Sequence, residues 1–341
     1  MDRIHRKLVL ASVALLAIAA VAWRWAPASG QPEERLVVYS GRNEALVGPP
    51  IERFEEETGI DVQVRYGETS EMAAAILEEG PNSPADLFFA QDAGALGAVA
   101  AEGRLARLPD RLLERVEPRF RSPRGEWVGV TGRARVVACS TERVTPDQMP
   151  GSILGFTDPK WKGRIGWPPT NGSFQAFVTA LRVTLGEDGA RAWLEGIQAN
   201  QPRVYRNNTA AIQAVAAGEV DVAFVNHYYL YRFLAEEGPS FPVRNYHPRD
   251  GGAGAMINVA GVGVLKDARH PKAAEAFVDF LLSEEAQRYF AGETYEYPLV
   301  TGVPADPRLV PLPEIRTPEI DLGDLAGLER TLDLLWETGA L

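Results

Sequence analysis

From Leu36 onward, short runs of β-branched and aromatic residues alternate with amphipathic segments. That alternation confines the chain to an α/β architecture with largely parallel strands. Runs at 36–40, 61–66 and 85–90 read as strands, and each gives way to a helix. The first helix reaches Gly59, with its regular part expected from Pro50, a favoured first helical residue; the others cover 70–79 and start at Asp92. The three strand-to-helix corners then share one sheet edge, the edge where open α/β sheets bind ligands. Two long strand-forming runs, WVGVTGRARVVAC (127–139) and VAGVGVL (259–265), are suited to crossing between domains. The chain is expected to leave its first domain near 134 and to return near 260. Between them lie a strand in RIGWPP, a helix from Phe174, a short strand at 203–205, and a helix capped from Asn207, Asn208 or Thr209 and stopped by Gly218. An amphipathic helix follows at 271–282. No repeat of 20 to 50 residues is visible, which excludes solenoids and propellers.

With 341 residues and 45% hydrophobic content the chain is long enough for two filled cores. Its N-terminus differs in kind. Arg3, Arg6 and Lys7 precede the apolar run Leu8 to Trp23, and Ala26-Pro27-Ala28 offers a cleavage site. Residues 1–28 therefore read as a secretory signal peptide, with an uncleaved membrane anchor as the alternative; either implies export, here to the periplasm. Those residues carry four Lys/Arg and one acid, so cleavage takes the net charge from −11 to −14. Such a surface argues against nucleic-acid binding. The single cysteine, Cys139, lies in an apolar run and reads as a small buried hydrophobe.

The segment Asp221 to Phe233, DVAFVNHYYLYRF, reads as a buried strand running into a helix, with Asn226, His227, Tyr228 and Tyr229 at the junction. Two adjacent phenols at such a corner suit a hard trivalent cation. A free phenol has a pKa near 10, so the ion itself must drive deprotonation. Ferric iron does this, and tyrosinate is a known iron ligand. The alternative for both is packing, which is the expectation for Tyr231; His227 is a ligand by type that can also face away. Signature motifs of serine hydrolases, zinc proteases, P-loop NTPases and dinucleotide binders are absent, so nothing asks for an enzyme.

The segments VVYSGRNEAL, FEEETGIDV, PADLFFAQDAG, GRARVVACS, DPKWKGRIGWPPTNGSF, RNNTAAIQAV, GEVDVAFVNHYYLY and KAAEAFVDFLLSEEAQ, in that order, resemble the periplasmic ferric-ion-binding proteins of ABC importers. The resemblance implies the two-lobed type II periplasmic-binding-protein fold, with mixed, mostly parallel sheets joined by hinge strands. Residues 36–133 and 260–310 would form one lobe, 134–259 and 311–341 the other. It implies Tyr228 and Tyr229 as ferric ligands, and Asn171, Gly172, Ser173, Asn208 and Asn226 as binders of a synergistic carbonate or phosphate. It further implies a monomer that serves an inner-membrane permease and its ATPase subunits.

The chain departs from one branch of that family. Asn43 and Gln91 stand where that branch has a ligand His and a ligand Glu, and neutral amides are poor ligands for a trivalent ion. The sequence is more similar to members that rely on tyrosines, carbonate and outside ligands. Arg42 and Arg133 are then natural anion partners, since a guanidinium fork matches an oxyanion bidentately; ordinary ion pairs are the alternative. A second reading keeps the fold and changes the cargo to a small organic anion or organophosphate.

Overall fold

The computed structural model describes residues 35–341; residues 1–28, read above as a signal peptide, lie outside the described residues. Strands β1 (Arg35–Ser40), β2 (Asp61–Tyr66) and β3 (Leu87–Ala90) alternate with helices α1 (Glu44–Thr58), α2 (Thr69–Glu79) and α3 (Ala93–Ala101). β1 pairs in parallel with both β2 and β3, so the three strand-to-helix corners do share one sheet edge. A short helix α4 (Asp110–Leu113) leads to β4 (Val128–Ser140), thirteen residues that are buried throughout. Then follow β5 (Ile165–Trp167), α5 (Gly172–Ala199), β6 (Arg203–Val204), α6 (Asn208–Ala216), β7 (Val222–Asn226), α7 (Tyr228–Glu236) and β8 (Val243–Tyr246). The chain closes with β9 (Ile257–Val264), α8 (Pro271–Leu281), α9 (Glu284–Tyr289), β10 (Tyr297–Pro298) and α10 (Leu328–Glu337).

β4 joins two halves. Its residues 128–134 pair antiparallel with β9, which also pairs with β3, whereas residues 135–139 pair antiparallel with β7. β8 runs along the same second stretch, and β5 holds β6 and β7 in parallel. The register therefore passes from one half to the other between Ala134 and Arg135. α1, α2, α3 and α8 pack on the first half, and α5, α6 and α7 on the second. A second cluster of Val136, Ile212, Val215, Val225, Leu230 and Phe233 sits under α6 and α7. Each such side chain, fully buried, contributes about 1.5–3 kcal/mol.

Three local features differ from the sequence reading or sharpen it. α1 begins at Glu44, six residues before Pro50, and carries Pro49 and Pro50 inside it. The Asn43 side chain accepts the Ala45 N–H, and Val47, Pro50, Ile51 and Phe54 are buried; together these outweigh the amide bonds that two prolines cannot donate. α5 is broken at Gly186, whose φ of 75° only glycine adopts easily. Cys139 is buried and unpaired as expected, and burial pushes its thiol up to about 11.

His247, just after β8, is held down to about 4 by burial. The folded protein thus keeps this ring neutral, while the unfolded chain protonates it below about pH 6.5. A base depressed in the fold contributes stability above its unfolded pKa, and that stability is lost as pH falls through the window from 6.5 to about 4. The His247 share of the unfolding free energy from chemical denaturation should drop by up to about 1.4 kcal/mol per pH unit across that window. His247→Phe should flatten the slope; an unchanged slope would remove His247 from the account.

Candidate metal and anion site

β7 ends at Asn226, and His227 turns the chain into α7, so Tyr228 and Tyr229 are its first two residues. His227 is buried and points inward. Its Nδ1 accepts the Ala134 N–H at 3.1 Å, and Nε2–H donates to the Tyr295 carbonyl at 2.8 Å. The ring stacks on Tyr297 at 4.7 Å, and burial lowers its pKa to about 3. Both ring nitrogens are spent on backbone, so His227 is a structural pin between β4, α7 and the chain before β10. Of the two roles open to it in the sequence, the structure selects facing away.

The phenol rings of Tyr228 and Tyr229 stack with centroids 4.3 Å apart, and the Arg232 guanidinium lies 5.8 Å from each ring centre. Tyr228 is buried, and burial first, then the neighbouring Tyr229, raise its phenol above the usual tyrosine value. The charges of Arg133 and Arg42 pull it the other way, and Glu296 adds to the rise. Tyr231 packs as expected, donating its hydroxyl to the Arg308 carbonyl at 3.1 Å.

A cavity of about 890 Å³ opens beside this corner. Of the residues read from the sequence, Gln91, Arg133, Asn171, Gly172, Ser173 and Asn226 line it. Arg42, Asn43, Asn208, Tyr228 and Tyr229 stand outside its lining. The β2 and β3 corners reach it through Glu68, Thr69 and Asp92, while the β1 corner does not. Asp92 caps α3 by accepting the Ala95 N–H at 2.9 Å, and burial raises its carboxyl against the pull of that bond and of Arg133.

Three amide and hydroxyl side chains and the Asn226 backbone form one network at the start of α5. Asn171 Oδ1 accepts from Ser173 N–H at 3.2 Å, from Ser173 Oγ at 2.5 Å and from Asn208 Nδ2 at 3.2 Å. Asn208 Oδ1 in turn accepts the Asn226 N–H at 3.2 Å. Asn171 is thus a helix cap and a cavity residue at once, and Asn208 acts from behind by fixing its neighbours. The N-terminus of α5 presents partial positive charge to the same space.

Arg133 is 2% exposed, and its Nε and Nη1 are buried with no hydrogen-bond partner among the described residues. Arg42 is partly committed elsewhere, though its Nε and Nη1 are likewise buried with no hydrogen-bond partner among the described residues. Its Nη2 meets both Glu296 oxygens at 3.0 and 2.8 Å in a pair with fully buried side chains, and Thr131 Oγ1 donates to the same carboxylate at 2.9 Å. Asn43 is exposed and caps α1, and the Gln91 N–H bonds Thr69 Oγ1 at 3.1 Å. Neither side chain offers the first half of the molecule an anionic ligand.

The sequence reading missed Arg135. It lies two residues beyond Arg133 on β4, hence on the same strand face, which was the signal available. Its Nη1 donates to Asn226 Oδ1 at 3.0 Å, and the guanidinium sits 5.2 Å from the Phe177 ring centre. Burial lowers it to about 9, opposed by Tyr228 and Tyr229, so it remains a cation at neutral pH. Arg206 and Asn258 also line the cavity.

A crossing strand shared by two sheets, with polar residues gathered at the carboxyl ends of strands from both, defines a two-lobed α/β binding protein of the type II periplasmic class. The chain belongs to the bacterial extracellular solute-binding protein family, whose match spans residues 82–318. It is 31% identical over 335 residues to the Fe(3+)-binding periplasmic protein of Serratia marcescens, covering 98% of this chain and 96% of that one. Iron-bound HitA from Pseudomonas aeruginosa superposes with a TM-score of 0.83 at 36% identity, covering 90% of this chain and 99% of the other. A Trichodesmium protein in complex with iron and citrate gives 0.79 at 29% identity, with 89% and 99% covered. The resemblance read from the sequence holds.

Proposed function

We propose that this chain is the periplasmic receptor of an ABC importer, which captures ferric iron together with an anion and delivers it to the inner-membrane permease and its ATPase. The observation that carries the reading is Arg133. A buried guanidinium with two unpartnered N–H groups on a cavity wall, its charge felt by Tyr228, is a prepared seat for an oxyanion beside two phenols. Tyr228 and Tyr229 supply phenolates to the iron. Arg133, Asn171, Gly172, Ser173 and Asn226 hold carbonate or phosphate, Asn208 fixes their geometry, and Arg42 stays in its ion pair with Glu296. Relatives named for ferric binding support the cargo. In this reading the protein is a non-enzymatic monomer whose lobes, 36–133 with 260–310 and 134–259 with 311–341, close by a hinge within β4 and β9.

Ferric citrate added to metal-free protein should produce a visible phenolate-to-iron band. The second reading, a small organic anion or organophosphate, draws on the neutral Asn43 and Gln91 and on the three arginines of the cavity wall. A thermal-shift panel of ferric complexes against phosphonates, carboxylates and polyamines separates them, because only the bound class raises the melting temperature strongly. Stabilisation by a phosphonate with no response to iron would overturn the ferric assignment.

A further inference from the structure

The last stretch of the chain touches both halves of the molecule. The turn Leu322–Ala326 lies on α3 of the first half, with Leu322 and Leu325 buried. It fits because α3 presents glycines at i and i+3. A Cβ on Gly94 would fall 2.4 Å from the Leu325 carbonyl oxygen, and one on Gly97 would fall 2.5 Å from the Gly323 carbonyl oxygen. Immediately afterwards α10 docks on α5 of the second half. Arg182 Nη1 donates to the Gly327 carbonyl at 2.7 Å and to Thr331 Oγ1 at 2.9 Å, and Thr331 meets Thr179 at 2.7 Å. Arg330 pairs with Glu187, and Arg191 with Glu337.

The same residues wall the cavity, through Leu325, Ala326, Leu328 and Glu329. Leu325 is seated on α3 and Gly327 on α5, only two residues apart. Two residues span at most about 7 Å when fully extended. Larger parting of α3 from α5 therefore requires one seat to break. The α5 seat has hydrogen bonds and ion pairs; the α3 seat has the close backbone contacts of a glycine face.

We propose that residues 322–331 are a latch across the cleft, whose turn leaves the glycine face of α3 when the lobes part and reseats when they close. The latch thereby biases the open-closed equilibrium and slows ligand release. This goes beyond the ferric reading, because the latch acts on whatever the cleft holds.

The test is Gly97→Ala, which favours α3 as a helix but blocks the seat. Two measurements on the full mature chain read it: small-angle scattering of the ligand-free protein, and the rate at which EDTA strips iron from protein loaded with ferric citrate. The variant should show a larger radius of gyration and release iron roughly tenfold faster, within the 5- to 150-fold span of typical conformational couplings. A folded variant with unchanged scattering and release rate overturns the latch. Where Gly97→Ala does not fold, Arg182→Gln with Thr331→Val loosens the other seat and is read in the same two ways. Should the chain bind no iron, the ferric reading fails separately and the scattering result alone decides the latch.

Discussion

Replacing Tyr228 and Tyr229 together by phenylalanine should abolish the visible ferric band and iron retention while leaving a folded protein. The two rings stack, and their packing surfaces survive the loss of the hydroxyls. Removing a hydroxyl from Tyr228, whose phenol is raised by burial, should change stability by no more than about 1 kcal/mol. Under the proposed function each single variant loses a directly coordinating oxygen, a larger effect than the 10- to 100-fold typical of outer partners, so each should weaken iron at least about 100-fold. The same proposal has each phenol give up its proton on binding, so wild-type affinity should also weaken as pH falls. Absorbance titration and equilibrium dialysis across pH check both points. A double variant that stays coloured and keeps its affinity would remove the tyrosines from the site.

Arg133→Met should stabilise the empty protein and cripple its response to anions. A buried group left without partners costs about 1–3 kcal/mol, and methionine fills a similar volume without that cost. The metal-free melting temperature should therefore rise. Iron affinity should fall by about 10- to 100-fold and should no longer improve when carbonate or phosphate is added. Arg133→Lys should fall between, keeping the charge but not the fork. If the variant is less stable, and anions still help it, Arg133 is a structural cation and the oxyanion sits elsewhere. A stability gain coupled to a binding loss is the signature of strain kept for function.

The local pattern carried much of the architecture. Strands and helices with periods of 2 and 3.6 are written into residues 36–96, so the shared edge of the three corners was legible before any tertiary contact was known. α1 was misjudged because two prolines look like a helix start, while the cap at Asn43 is one polar residue among many. Arg135 escaped because an arginine in a strand signals equally an ion pair, a stacked side chain or a ligand partner. Only its 3.0 Å bond to Asn226 and its place on the cavity wall distinguish these.

The tyrosine pair shows the same division. Sequence alone determined that two phenols stand at a strand-to-helix corner, because that depends on adjacent residues and on the end of a buried run. It also determined that Asn43 and Gln91 bring no charge to the first lobe. Which groups stand near the phenols was decided only by tertiary structure. Arg133 and Arg135 come from a strand about ninety residues earlier, Arg42 is drawn aside by a glutamate 254 residues away, and the C-terminal turn reaches the cavity from the far end of the chain. Those partners are set by how distant strands and helices pack, and no local period records that. The corner is a property of the sequence; the site around it is a property of the fold.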